Sequence, residues 1–135
     1  MPKRVFYIIA IALLIVLGLS SRKVAFLSDE TGDGLWAMAL FCFLRLIFVN
    51  SKLKDIAIIT LVLSFLVEFS QLIRWEWLVA IRSTFIGHMI LGQGFVWWDL
   101  LAYSIGVIVI YFAARAYESR LPSTSSNPPC DRFSI

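Results

Sequence analysis

The sequence predicts an all-α polytopic integral membrane protein with four transmembrane helices and an amphipathic or re-entrant segment between spans three and four. Three observations carry that expectation. Four apolar runs, at about residues 5–20, 34–49, 56–73 and 95–114, approach the length that crosses a hydrocarbon core of about 30 Å. The chain has 135 residues, is 60% hydrophobic and only 16% charged, and has a mean hydropathy of +0.85. A soluble domain of this size has too little core to hide so much apolar surface. The basic residues stand at the ends of the apolar runs, as they do where helices enter and leave a bilayer.

The net charge of +3 and pI of about 9.1 do not point to nucleic acid, because no basic patch or stripe accompanies them. Cys42 lies in an apolar run and Cys130 in a polar tail, so no disulfide is expected. There is no CxxC and no His-rich tract, hence no metal signal, and no motif calls for a cofactor.

Span one, residues 5–20, follows Lys3 and Arg4. At about 1.5 Å per residue it reaches about 24 Å, slightly short of the core. A cleaved signal peptide is the rival reading, with Gly18 and Ser20 before a cut; the three later spans favour a retained helix. Span two opens after the polar stretch of residues 21–33. Asp33 is placed to cap it, facing the positive helix end, and Trp36 to anchor it at the interface. Arg45 falls inside this span near its far end. The short loop of residues 50–55 implies that spans two and three are antiparallel neighbours. Span three carries Glu68 and Gln71 near its far end.

Residues 74–94 mix apolar and polar side chains, with Leu78, Ile81, Phe85 and Met89 at helical spacing. They read as an amphipathic or re-entrant segment in the interface, broken at Gly87, Gly92 and Gly94. A fifth crossing would bury Arg82 at considerable cost. Span four contains Asp99 and begins at the anchors Trp97 and Trp98. Residues 1–115 thus form one transmembrane domain and residues 116–135 a disordered polar tail. No internal repeat is present.

One side of this four-span arrangement carries Lys3, Arg4, Lys52, Lys54, Arg115, Arg120 and Arg132; the other carries Arg22, Lys23, Arg74 and Arg82. The excess puts both termini in the cytoplasm. Arg45 then lies near the inner face, where its long side chain can snorkel.

Folding the spans back and forth brings Asp33, Glu68, Gln71, Arg82, His88 and Asp99 to one level near the outer leaflet. Ser64, Glu68, Gln71 and Trp75 form one helical stripe, and Asp99, Tyr103 and Gly106 another. Gly106 lets a neighbouring helix come close. Ionisable groups in this setting are costly, so they need a reason. Glu68 and Asp99 can pair with Arg82 and simply lock the helices together. Alternatively the cluster is a site in which Glu68, Asp99 and Arg82 do acid–base work while Asp33, Gln71, Tyr103 and His88 bind ligand. A lone histidine at an interface is usually no more than interfacial, and Ser83 and Thr84 lack any nucleophile motif.

With these residues in view, the chain resembles the DUF2809 family of small bacterial membrane proteins of unknown function. The resemblance rests on Gly32-Asp33-Gly34-Leu35-Trp36, Glu68-Phe69-Ser70-Gln71-Leu72, Arg82-Ser83-Thr84, Leu91-Gly92, and Trp98-Asp99-Leu100-Leu101-Ala102-Tyr103 with Gly106. More distantly, the order Glu68, Gln71, Arg82, Asp99, Gly106 is similar to the VanZ-like family. The stretch between Gln71 and Arg82 is longer here, and Ala102 and Tyr103 stand where VanZ-like proteins tend to carry Asn. Some VanZ-like proteins are linked to low-level glycopeptide (teicoplanin) resistance, so the resemblance implies a cell-envelope role in the bacterial inner membrane. Neither family supplies a reaction.

The expectation is therefore an envelope protein whose outer-face site binds or modifies a lipid-linked or cell-wall ligand, with Arg82 holding an anionic group. Membrane lipids are its surroundings. The alternatives are a small transporter subunit, assembled as a homo-oligomer, and a structural or partner-binding membrane protein with no catalytic site. Whether the chain is an enzyme is not decided by its residues.

Overall fold

The computed structural model describes residues 2–21, 23, 29–91 and 97–122. These fold as six helices: α1 (Lys3–Ser21), α2 (Asp29–Ile47), α3 (Leu53–Ser70), α4 (Glu76–Ser83), α5 (Phe85–Leu91) and α6 (Trp97–Ser119). There is no strand among the described residues, so the all-helical class is as expected. By length and composition, α1 and α6 are each able to cross a membrane.

The four long helices run alternately up and down. Helix α2 packs on α1, α3 and α6, and α3 also packs on α6. Their shared interior is built from Tyr7, Leu14, Phe41, Cys42, Leu44, Ile56, Ile110 and Ala114, with a smaller group of Ala37, Tyr103 and Val107 nearer the other end. Helix α3 shows why. Ile56, Thr60, Ser64 and Glu68 recur every fourth residue, and all four are fully buried on one face. The opposite face presents Ile58, Val62, Leu66 and Phe69 outward.

Helices α2 and α6 meet through glycines. A Cβ built on Gly106 would lie 2.5 Å from the Gly34 carbonyl oxygen, so only a residue without one lets the two backbones approach this closely. Residues 76–91 form two short helices meeting at Thr84. Thr84 Oγ1 accepts from Gly87 N–H at 3.1 Å, capping α5. Gly87 then sits hard against the Ile81 carbonyl, where a Cβ would clash.

Several expected boundaries move. Helix α2 begins at Asp29, so Asp33 is not its N-cap but an interior residue in its second turn. Helix α3 ends at Ser70 with Gln71 as its C-cap, so the polar stripe stops there and Trp75 is exposed. Helix α6 continues to Ser119, so residues 116–119 are helix rather than tail. The reason is local. The stripe Tyr103, Val107, Ile110, Ala114 continues to Tyr117 and Glu118, and the Tyr117 ring stacks on Phe6 of α1 at 3.7 Å. The rest of the expected tail, residues 123–135, and the expected breaks at Gly92 and Gly94 lie outside the described residues.

Arg45 also departs from expectation. It does not snorkel outward but is 3% exposed and paired with Glu118. Arg45 Nε donates to Glu118 Oε1 and Nη2 to Oε2, both at 2.9 Å, a bidentate fork. Tyr7 OH donates to the same Oε1 at 2.8 Å, and Lys3 Nζ lies 3.6 Å from Oε2. Arg45 Nη1 donates to the Phe48 and Ser51 carbonyls, tying the following loop to the helix end.

Candidate functional site

The opposite end of the bundle is built around Glu68. Its position in the last turn of α3, on the interior stripe, drives its carboxylate between α3 and α6 with no exposed surface. Tyr103, one turn into α6 from Asp99, is held there by Val107 and Ala37 below it. Its hydroxyl donates to Glu68 Oε2 at 3.1 Å. Gln71 bends back from the helix end, and its Nε2 reaches Glu68 Oε2 at 3.3 Å and the Leu91 carbonyl at 2.9 Å. The second contact ties α5 to α3.

Asp33 from α2 and Asp99 from the first turn of α6 are half-buried, and with Glu68 they act electrostatically on the Tyr103 hydroxyl. Carboxylates from three helices thus contribute to the field at one phenol, and Glu68 alone is described in hydrogen-bond contact with it. Asp99 stands in the first turn of α6, where the helix N-terminus favours its charge. Two further buried polar atoms face this interior without a hydrogen-bond partner among the described residues: Ser64 Oγ, one turn below Glu68, and Gln71 Oε1. Leaving such groups unsatisfied costs about 1–3 kcal/mol each.

Arg82 is buried at 6% exposure in the last turn of α4. Its described hydrogen bonds go to two carbonyls and a hydroxyl. Nη1 donates to Ile73 O at 3.2 Å, and Nη2 donates to Ser70 O and Ser70 Oγ. These carbonyls belong to the end of α3 and the turn after it, so the cation sits on the negative pole of that helix. His88 lies half-buried on α5 and makes no described side-chain hydrogen bond to the cluster. The structure therefore joins Glu68, Gln71 and Tyr103 directly, adds Asp33 and Asp99 through their fields, and uses Arg82 to hold α4 against the end of α3. Among the described residues, no group of His, Cys, Asp and Glu is arranged to hold a metal ion.

Trp36 is the neighbour that sequence reasoning treated only as an anchor. Its ring lies 5.9 Å from that of Tyr103, tilted by 57°. Ser64 was visible as a stripe member, but its unsatisfied hydroxyl was not.

Fold and site together define an all-helical protein with a buried carboxylate–tyrosine cluster and two helices suited to a membrane. The chain belongs to the protein family of unknown function DUF2809, whose sequence profile matches residues 22–107. That match includes Asp33, Glu68, Gln71, Arg82, His88, Asp99 and Tyr103. No solved structure matches the chain.

Proposed function

We propose that this chain is a four-span protein of the bacterial cytoplasmic membrane, with cytoplasmic termini, whose Glu68–Gln71–Tyr103 cluster binds or modifies a lipid-linked or cell-wall ligand at the outer face. The observation that carries the site reading is a fully buried carboxylate with two unsatisfied polar atoms beside it. A cluster serving only to pack helices gains nothing from unspent hydrogen-bonding atoms, whereas a ligand can satisfy them.

The four-span reading is supported by what the long helices turn outward. On α1, Ile8, Ile9, Leu13, Val16 and Leu17 each keep about half of their surface exposed. Full burial of such a side chain is worth about 1.5–3 kcal/mol. In water these five would forgo roughly 4–8 kcal/mol, comparable to the whole stability of a domain at about 5–15 kcal/mol. Hydrocarbon surroundings remove that loss. Helices α2 and α3 carry their charges only near their ends, at Asp29, Glu30, Asp33 and Arg45 in one and at Lys54, Asp55 and Glu68 in the other. The exposed Trp75, Trp77, Trp97 and Trp98 at the site end suit a membrane interface. Of the alternatives, the structural one is favoured by Arg82, whose bonds to the end of α3 serve helix packing.

Two measurements test the proposal. In a background lacking Cys42 and Cys130, single cysteines at Asp33, Gln71, Arg82 and Asp99 are labelled in intact cells with a membrane-impermeant maleimide. Labelling of Asp33 and Asp99 from outside is expected; labelling only in broken cells inverts the orientation. Purified protein is then incubated with total bacterial lipid extract and examined by native mass spectrometry. Lipid adducts held by the native chain and lost in a folded Glu68→Gln variant support the site; identical adducts in both exclude it.

A further inference from the structure

We propose that α4 and α5 form a hinged lid, latched to the end of α3 through Arg82 and Gln71, and that a ligand reaches Glu68 only when this lid lifts. The inference rests on the site reading above and supplies a step that reading needs. Glu68 has no exposed surface. Ser64 Oγ and Gln71 Oε1 each expose less than 1 Å², so nothing the size of a water molecule can touch them while the chain is closed. Some element has to move, and the two short helices are the ones least bound to the bundle.

The pair is built to move as one body. Thr84 joins the helices in an extended conformation, and its N–H donates to the Ile81 carbonyl at 3.2 Å. Its hydroxyl accepts from Gly87 N–H at 3.1 Å. Gly87 in turn rests against the Ile81 carbonyl, a contact that any Cβ would forbid. Both helices are therefore fixed to the same three residues. Before α4 the chain is looser: residues 73–75 belong to no helix or turn, and Trp75 precedes α4 without a side-chain cap. Such a stretch can absorb the backbone rotation that a hinge requires.

Little apolar packing opposes the motion. No residue of 76–91 belongs to either interior cluster. Phe85, Ile86 and Ile90 are 75%, 68% and 52% exposed, so lifting the pair takes few apolar contacts away from them. The described ties to α3 and the turn after it are polar. Arg82 donates to the Ile73 carbonyl and to the Ser70 carbonyl and hydroxyl, and Gln71 Nε2 donates to the Leu91 carbonyl at 2.9 Å. Polar bonds at the end of a bundle are exchanged for bonds to water at small net cost, whereas an apolar core is not.

Gln71 couples the lid to the site. The same nitrogen that holds Leu91 lies 3.3 Å from Glu68 Oε2. When α5 lifts, that nitrogen loses its shorter bond and the side chain is released from the gap between Glu68 and Leu91. Turning away, it uncovers the carboxylate and presents Oε1. Gln71 is thus a positioning residue that relays the state of the lid to Glu68.

The test uses the full chain in detergent. In the native chain, hydrogen exchange read by mass spectrometry should show the amides of residues 76–91 opening together, at least about tenfold faster than those of residues 56–68. Protection equal to that of α3 overturns the lid without any variant. Thiol labelling with N-ethylmaleimide then asks what the opening uncovers. Ser64→Cys, with Cys130→Ser, places a reporter one turn below Glu68, and the native Cys42, buried in the bundle, is the internal control. Arg82→Gln weakens the latch and should raise labelling at position 64 about tenfold, the factor expected for losing a hydrogen bond from a charged donor, with Cys42 keeping its rate. It should also speed exchange in α4 and α5 alike. An unchanged rate at position 64, a parallel rise at Cys42, or faster exchange in α4 alone overturns the proposal. The site reading is judged separately by its lipid adducts. Adducts that need Glu68, beside a latch variant that changes neither exchange nor labelling, leave the site standing without a lid. A lid that opens as described on a chain whose adducts ignore Glu68→Gln keeps the motion and removes the site.

Discussion

At one end of the bundle the Glu118 carboxylate accepts a two-pronged bond from Arg45, a third bond from Tyr7 and the field of Lys3. At the other end, about 22 Å away along α6, the Glu68 carboxylate accepts from the neutral donors Tyr103 and Gln71, with Asp33 and Asp99 adding to the negative field. Both clusters use a tyrosine on an interior stripe and a glutamate near a helix end. The first matches charge with charge and satisfies its donors. The second sets neutral donors on its carboxylate and leaves Ser64 Oγ and Gln71 Oε1 without a hydrogen-bond partner among the described residues. The difference teaches that a buried acid is not one kind of feature: Glu118 is gripped by cations from two other helices, whereas the donors described on Glu68 are a phenol and an amide.

The largest effect should come from breaking the grip on Glu118. Glu118→Ala leaves Arg45 buried without its carboxylate, and removing one partner of a buried pair costs about 3–5 kcal/mol. Thermal unfolding in detergent should show a large loss of melting temperature, much of it restored when Arg45→Met accompanies Glu118→Leu. If Glu118→Ala melts like the native chain, the pair is not holding the bundle.

Next comes the seam between the two ends. Gly106→Ala forces a methyl group into the Gly34 carbonyl and should cost about 1–3 kcal/mol by overpacking. Gly18→Ala, where the space is open, should cost nothing and gain up to about 1 kcal/mol of helix propensity. A reversal of that order in a melting series would mean that α2 and α6 do not approach as described.

The two tyrosines sharpen the contrast. Tyr103→Phe removes a hydroxyl bond to a carboxylate and should cost about 1.5–3 kcal/mol. Tyr7→Phe should cost less, about 0.5–1.5 kcal/mol, because Arg45 still grips the same Glu118 oxygen. Equal losses in urea-titrated or thermal unfolding would erase the distinction between the ends.

The smallest change in stability should follow Glu68→Gln, which keeps shape and hydrogen bonding while removing one of the three negative charges that act on Tyr103. A shift within about 1 kcal/mol is expected, of either sign, with binding lost. A collapse of the fold instead would align Glu68 with Glu118.

Much of this was legible in the residues. The buried stripe of α3 follows from its four-residue spacing, and the companion stripe on α6 announced Tyr103 and Gly106. The same spacing extended to Glu118, but the polar composition after Arg115 hid it, because composition reports solvent preference and not a partner on another helix. A pairing of Arg82 with Glu68 and Asp99 was one reading of the residues, beside that of a ligand site. The bonds of Arg82 to carbonyls were not legible, because helix ends expose acceptors only once the helix has stopped, and the stop at Ser70 carries no proline or glycine signal.

By itself the sequence determined which faces are buried, since the apolar and small residues recur at the helical period and every interior group must lie on such a stripe. It also determined the apolar outward faces and the presence of acids at one level. Tertiary structure alone decided which charges meet. Arg45 and Glu118 are 73 residues apart, and only the relative register of α2 and α6, set by the Gly34–Gly106 contact, brings them together. Register is a property of two helices packed against each other, so no local pattern in either one contains it.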